Sequence, residues 1–85
     1  MTFPRPKKRS LTLQGHRTSV SIEEPFWTIF CEIAEDRGLS VNRLAAELDA
    51  RRTPPASLAS AIRLYVLERV TNRSQSERKG PGVKP

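Results

Sequence analysis

Apolar residues recur at period two near the start of the chain and at helical spacing after it. In "RTSVSI", Thr18, Val20 and Ile22 fall on one face while Arg17, Ser19 and Ser21 fall on the other. That alternation predicts a short strand buried on one side. Just upstream, "SLTLQG" places Leu11 and Leu13 on one face before a glycine, which reads as an extra strand or an ordered arm. From Pro25 the period lengthens. "PFWTIFCEIAEDRG" carries Phe26, Ile29, Phe30 and Ile33 at helical spacing, with Glu32, Glu35 and Asp36 on the opposite side. Trp27 and Cys31 widen the apolar stripe. Pro25 suits a first helical turn, Glu23 and Glu24 sit at the positive end of the helix, and Gly38 suits a left-handed cap.

Ser40 is an N-cap for "SVNRLAAELDARR", whose stripe is Val41, Leu44, Ala45 and Leu48. Pro54 and Pro55 stop this helix or start the next. A third helix, "ASLASAIRLYVLERV", offers Leu58, Ile62, Tyr65, Val66 and Val70 for burial. The predicted organisation is a disordered basic arm over 1–9, a domain over 10–70 and a disordered polar tail over 71–85.

The predicted order is strand, helix, tight turn, helix and an appended helix, so the fold class is mainly α with one short strand. A single strand leaves its backbone donors and acceptors without partners. The economical solution is an intertwined homodimer in which two copies pair their strands antiparallel over an interlocked helical core. Val20 and Ile22 then point inward in both chains, and Arg17, Ser19 and Ser21 line the outside of a narrow two-stranded ribbon. Such a ribbon fits the DNA major groove.

Composition sharpens this picture. A chain of 85 residues suits one small domain, and at that size a partner chain, a metal or disulfides often supply stability. Cys31 is the only cysteine and His16 the only histidine, which excludes an internal disulfide and argues against a metal site. Self-association is the route left. No apolar run approaches membrane-spanning length, and "MTFPRPKKRS" lacks the apolar core of a signal peptide, so a cytoplasmic location without membrane contact is expected. Cys31 reads as a small buried hydrophobe, and Trp27 and Phe30 as core. No paired carboxylates, Gly-rich phosphate loop or nucleophile–base pattern is present. The expectation is therefore no enzyme and no cofactor.

The net charge of +6 is uneven: +5 over residues 1–17, −2 over 18–70 and +3 over 71–85. Basic ends around a near-neutral middle point to a polyanion partner; the plainer reading is that they are soluble tails.

From the strand through "AEDRGLSVN", the pattern resembles the ribbon-helix-helix family of bacterial and phage DNA-binding proteins, Arc-like members above all. "KRSLTLQGHRTSVSIEEPFW", followed later by "LASAIRLYVLE", is similar to short bacterial ribbon-helix-helix domain proteins. The resemblance implies base contacts from Arg17, Ser19 and Ser21. It implies phosphate contacts at the start of the second helix, over Leu39, Ser40, Val41 and Asn42, where free N–H groups and the helix dipole independently favour an anion. Lys7, Lys8 and Arg9 of the basic arm join as phosphate contacts. The dimer core is expected from Val20, Ile22, Phe26, Phe30, Ile33, Leu44 and Leu48. The buried charged triad of Arc-like members falls at Leu39, Leu44 and Leu48, and an apolar replacement is compatible with the same fold.

Three functions compete. The first is a sequence-specific DNA-binding transcriptional regulator, a repressor, acting as a homodimer on double-stranded DNA. The second is an antitoxin-type protein whose C-terminal helix also neutralises a partner toxin. The third is a protein-interaction module without specific DNA binding.

Overall fold

The computed structural model describes residues 3–79. Its elements are β1 (Pro6–Leu13), β2 (His16–Glu23), α1 (Glu24–Asp36), α2 (Val41–Arg51) and α3 (Leu58–Lys79).

β1 and β2 pair antiparallel in one continuous register, from Leu13 opposite His16 to Pro6 opposite Glu23. Gln14 and Gly15 alone connect them, with φ of 51° and 86°. Two successive left-handed residues make the tight turn whose twist matches that of the flanking strands. The expectation of a single strand is therefore corrected to two strands. "SLTL" belongs to a full strand and "QG" is the turn, and within the chain that strand pairs with "RTSVSI". The physical reason is local: two period-two segments with matching apolar faces, joined by a two-residue turn ending in Gly, pair with little loop to close. The disordered arm expected over 1–9 is corrected in the same way, because Pro6–Arg9 lie in β1.

The hairpin lays its apolar face on the helices. Leu11, Leu13, Val20 and Ile22 are buried there, with Phe30, Ile33 and Ala34 of α1 and Leu44, Ala45 and Leu48 of α2. α3 closes the remaining side with Leu58, Ile62 and Val66, three residues spaced by four on one helical stripe. Ile22, Phe30, Leu44 and Ile62 have no exposed surface. Of the residues expected in a dimer core, six are thus buried within one chain, and Phe26 is partly buried.

The α1–α2 turn follows its sequence signals. Gly38 takes φ +69°, and Leu39 N–H donates to Ala34 O at 2.8 Å across the turn. Ser40 Oγ then caps α2 by accepting from Arg43 N–H at 3.0 Å. α3 runs past the expected end at Val70, so the expected disordered tail is corrected to helix as far as Lys79. The rest of that tail, 80–85, and the start of the expected arm, 1–2, lie outside the described residues.

Candidate nucleic-acid interface

The period of two that buries Leu11, Leu13, Val20 and Ile22 turns their neighbours outward. Lys8, Ser10 and Thr12 of β1 and Arg17, Ser19 and Ser21 of β2 are all exposed. The register sets them in three cross-strand pairs, Lys8 with Ser21, Ser10 with Ser19 and Thr12 with Arg17. The result is one face carrying two cations and four hydroxyls. The acidic residue on its edge, Glu23, is held by Arg63 of α3 at 2.7 Å. That hydrogen bond keeps the Glu23 carboxyl below the ordinary carboxylate value.

The other arm residues sit differently. Lys7 and Arg9 follow the opposite parity and face the helices. Arg9 pairs with Glu24, and its guanidinium carbon lies 5.4 Å from the centre of the Trp27 ring. Lys7 Nζ lies 3.9 Å from the same carboxylate. Of the three expected phosphate contacts in this segment, Lys8 alone shares the outward face of the hairpin.

The start of α2 lies beside β1. Asn42 Oδ1 accepts from Thr12 N–H at 3.1 Å, so this side chain is tied to the hairpin edge. Leu39 N–H is engaged across the turn and Ser40 Oγ in its cap. The N–H groups of Val41 and Asn42 lie in the first helical turn, where helix geometry provides no internal acceptor. The structure thus brings Arg17, Ser19 and Ser21 together on one face and sets the α2 terminus next to the hairpin. Within that terminus it divides backbone groups that are engaged from those that are open.

Sequence reasoning missed Ser10 and Thr12. The signal was present in the alternation of "KRSLTL" and in the two-residue spacing before "HRTSVSI", which together mark a hairpin.

Away from this face, Arg37 at the end of α1 reaches both other helices. It donates to Glu47 Oε2 at 2.9 Å and to the Tyr65 hydroxyl at 3.2 Å. The Glu47 bond is the main reason the guanidinium is held protonated more firmly than usual, and it lowers the Glu47 carboxyl in return. Cys31 is half-buried, and desolvation raises its thiol above the ordinary value, the opposite of an activated nucleophile. Among the described residues no group of three His, Cys, Asp or Glu side chains is placed to hold a metal ion. Among them, too, no helix is long and apolar enough to cross a membrane.

A family model described as a ribbon-helix-helix domain matches residues 6–70, well over half of the chain. No curated protein and no solved structure gives a significant match.

Proposed function

The chain belongs to the ribbon-helix-helix domain family, and from that premise we propose that it is a sequence-specific DNA-binding transcriptional regulator, a repressor that reads the major groove with its β-ribbon. Domains of this family commonly bind DNA in regulators or antitoxins, typically form dimers and are generally not enzymes. The observation that carries the proposal is the exposed hairpin face holding Arg17, Ser19 and Ser21. Arg17 offers the bidentate fork that recognises guanine O6 and N7, and the serines offer short donors and acceptors to neighbouring bases. The open N–H groups of Val41 and Asn42, at the positive end of α2, are assigned to a DNA phosphate that sets the register. We read the working unit as a homodimer acting in the cytoplasm, as the family habit suggests.

Selection of bound DNA from a random duplex pool tests this reading. A recovered consensus, bound more tightly than random duplex at near-physiological salt, is expected. Salt-sensitive binding with no preferred sequence would overturn it.

One observation favours a second reading, in which the chain is an antitoxin that also holds a partner protein. Leu64, Leu67 and Val70 of α3 are exposed, at 64%, 57% and 37%. An apolar strip on the appended helix is what such a partner would cover. A protein that co-purifies in fixed stoichiometry and is released by Leu67→Asp would favour it.

A further inference from the structure

A cleft of about 460 Å³ opens where the hairpin turn passes α2 and the start of α3. We propose that this cleft binds a small organic acid with an apolar body, and that the acid's carboxylate draws Arg17 away from DNA. The site stands on its own geometry; its consequence for DNA rests on the DNA-binding reading above.

The room comes from small residues. Ala46 and Ala50 lie one helical turn apart on α2 and line the cleft together with Gln14 of the turn. Leu13 and Leu58, each 9% exposed, complete an apolar floor. An apolar cavity of about 150 Å³ holds one benzene, and small-molecule sites run from roughly 300 to 1,000 Å³. The cleft therefore has space for a ring and its acid group. A second cleft, of about 470 Å³, shares Gln14, Ala46 and Ala50 with it. Its other lining residues are polar or charged, and Glu47 among them is already held by Arg37 at 2.9 Å. The leucine floor singles out the first cleft.

The rim sets the charge of the occupant. Asp49 is the one acidic residue of the lining, and Arg52 Nε donates to it at 2.7 Å. Arg52 Nη1 donates to Ala56 O at 2.8 Å, so this pair is anchored to the connection before α3 and its two charges cancel. Arg17 is the remaining cation, exposed and without a partner among the described residues. His16 and Thr18, also on the rim, add a ring N–H and a hydroxyl. One uncompensated guanidinium beside an apolar floor selects a monoanion with an apolar body. Its fork of N–H groups matches a carboxylate with two parallel bonds. A neutral ligand would leave Arg17 unmatched, and an inorganic anion would leave the floor uncovered.

Arg17 also belongs to the outward face of the hairpin, opposite Thr12. One side chain thus has two destinations, a guanine edge and the acid. A guanidinium whose fork holds a carboxylate no longer offers that fork to guanine. The competition is reciprocal: the acid weakens DNA binding by the factor by which DNA weakens acid binding. The effect levels off at the loss produced by Arg17→Ala, about tenfold on a specific site, because the remaining DNA contacts persist without Arg17.

The site is tested first without DNA. The probes are benzoate, phenylacetate and indole-3-acetate, compared with their neutral amides, acetate and inorganic phosphate. Each is titrated at constant ionic strength into the full 15N-labelled chain, and backbone amides are followed by NMR. At least one aromatic acid should saturate at millimolar concentration or below, shifting Leu13, Gln14, His16, Arg17 and Ala50 together. Its amide, acetate and phosphate should each bind at least about tenfold more weakly, lacking either the charge or the apolar body. Ala50→Leu enlarges an exposed residue of the lining, so it should abolish the shifts and leave DNA binding intact. Absence of binding by all three acids, equal binding of an amide or of phosphate, or shifts confined to other residues would overturn the site.

The consequence is tested on a duplex selected by the wild type. The best acid should weaken wild-type binding by up to about tenfold and leave Arg17→Ala and Ala50→Leu unaffected. Unchanged wild-type affinity, with the acid bound by NMR, would overturn the coupling to DNA. Failure of the wild type to select any duplex would overturn the DNA-binding reading and the coupling with it, while the amide shifts would still decide whether the cleft takes an acid.

Discussion

Arg63 of α3 places its Nε 2.7 Å from Glu23 Oε1 at the end of β2, so the appended helix is clamped to the ribbon at the point where the strand passes into α1. The sign of its pH dependence follows from the depressed Glu23 carboxyl. A carboxylate with a folded value below its ordinary 4.5 contributes stability that is present in full above 4.5. That contribution is lost as the pH falls through the lowered folded value. Unfolding followed by urea from neutral to acidic pH should therefore show a loss of stability in that window, and the loss should be smaller in Glu23→Gln. Glu47, held low by Arg37, titrates over the same window, so Glu23→Gln should leave part of the acid limb in place. An identical acid limb in the variant would mean that the Glu23–Arg63 pair does not contribute.

α3 lies outside the two helices that give the family its name, yet it supplies core. Ile62 has no exposed surface, whereas Leu67 on the same helix is 57% exposed. Ile62→Ala should cost about 2–5 kcal/mol of unfolding free energy, the range for truncating a fully buried aliphatic side chain. Leu67→Ala should stay within about 0.5 kcal/mol, as surface substitutions do. Chemical denaturation of the two variants at one protein concentration measures both. Equal small effects would mean that α3 is a loosely docked appendage.

Most of the helical fold was legible before the structure, because each helix carried its own stops and starts. Pro25, Gly38 and Ser40 act within one turn of themselves, so local chemistry sufficed to place α1 and α2 within a residue or two. The inward face of β2 was legible for the same reason, since Val20 and Ile22 alternate with serines whatever the strand pairs with. The partner of that strand was harder to read. Alternation in "KRSLTL" is half hidden because the inward positions at the open end hold Lys7 and Arg9 instead of apolar residues. Arg9 can sit there only because Trp27 and Glu24 of α1 receive its guanidinium, a tertiary arrangement with no trace in the spacing. Read as a basic tract, the segment resembled a free arm. Read with Trp27 and Glu24 in place, it is the first half of a strand. The candidate site suffered the same gap: Arg17, Ser19 and Ser21 followed from one strand, while Ser10 and Thr12 became visible only with the register. The length of α3 was missed because "TNRSQSERK" has no apolar stripe to announce a helix, and the segment continues one already begun.

The turn should respond to substitution in opposite directions at its two positions. Gln14 holds φ 51° with a side chain attached, a conformation that costs an L-residue roughly 1–2 kcal/mol and that Asn and Gly tolerate better. Gln14→Gly and Gln14→Asn should therefore stabilise the fold, by up to about 1 kcal/mol after the greater freedom of glycine in the unfolded chain is set against the relief. At Gly15 an added Cβ would meet no atom within 4 Å, so any cost of Gly15→Ala comes from φ +86° alone. It should destabilise by about 1–2 kcal/mol. Shifts of urea midpoint with unchanged denaturant slope would establish both effects. A neutral Gly15→Ala would contradict the left-handed turn.

The last prediction separates three neighbouring cations that the sequence presents as one basic tract. Lys7, Lys8 and Arg9 are consecutive, and a flexible arm would let all three meet phosphate alike. In a strand they cannot, because successive side chains leave opposite faces. Lys8 points outward with Ser10 and Thr12, while Arg9 is turned onto Trp27 and paired with Glu24, and Lys7 approaches the same carboxylate. Lys8→Ala should therefore weaken DNA binding while leaving stability within about 0.5 kcal/mol. Arg9→Ala should do the reverse, lowering stability through the lost ring contact and ion pair, with little change in how affinity depends on salt. A cation that neutralises a phosphate adds about 0.9 to the slope of log affinity against log salt, whereas one that reads a base edge changes preference among sequences. Salt titrations of the two variants on a selected and a random duplex distinguish these roles. A flattened slope on both duplexes would make Lys8 a phosphate contact, and a loss confined to the selected duplex would make it a base contact. Equal slope changes in Lys8→Ala and Arg9→Ala would mean that the segment meets DNA as a free arm, with the inward placement of Arg9 given up on binding.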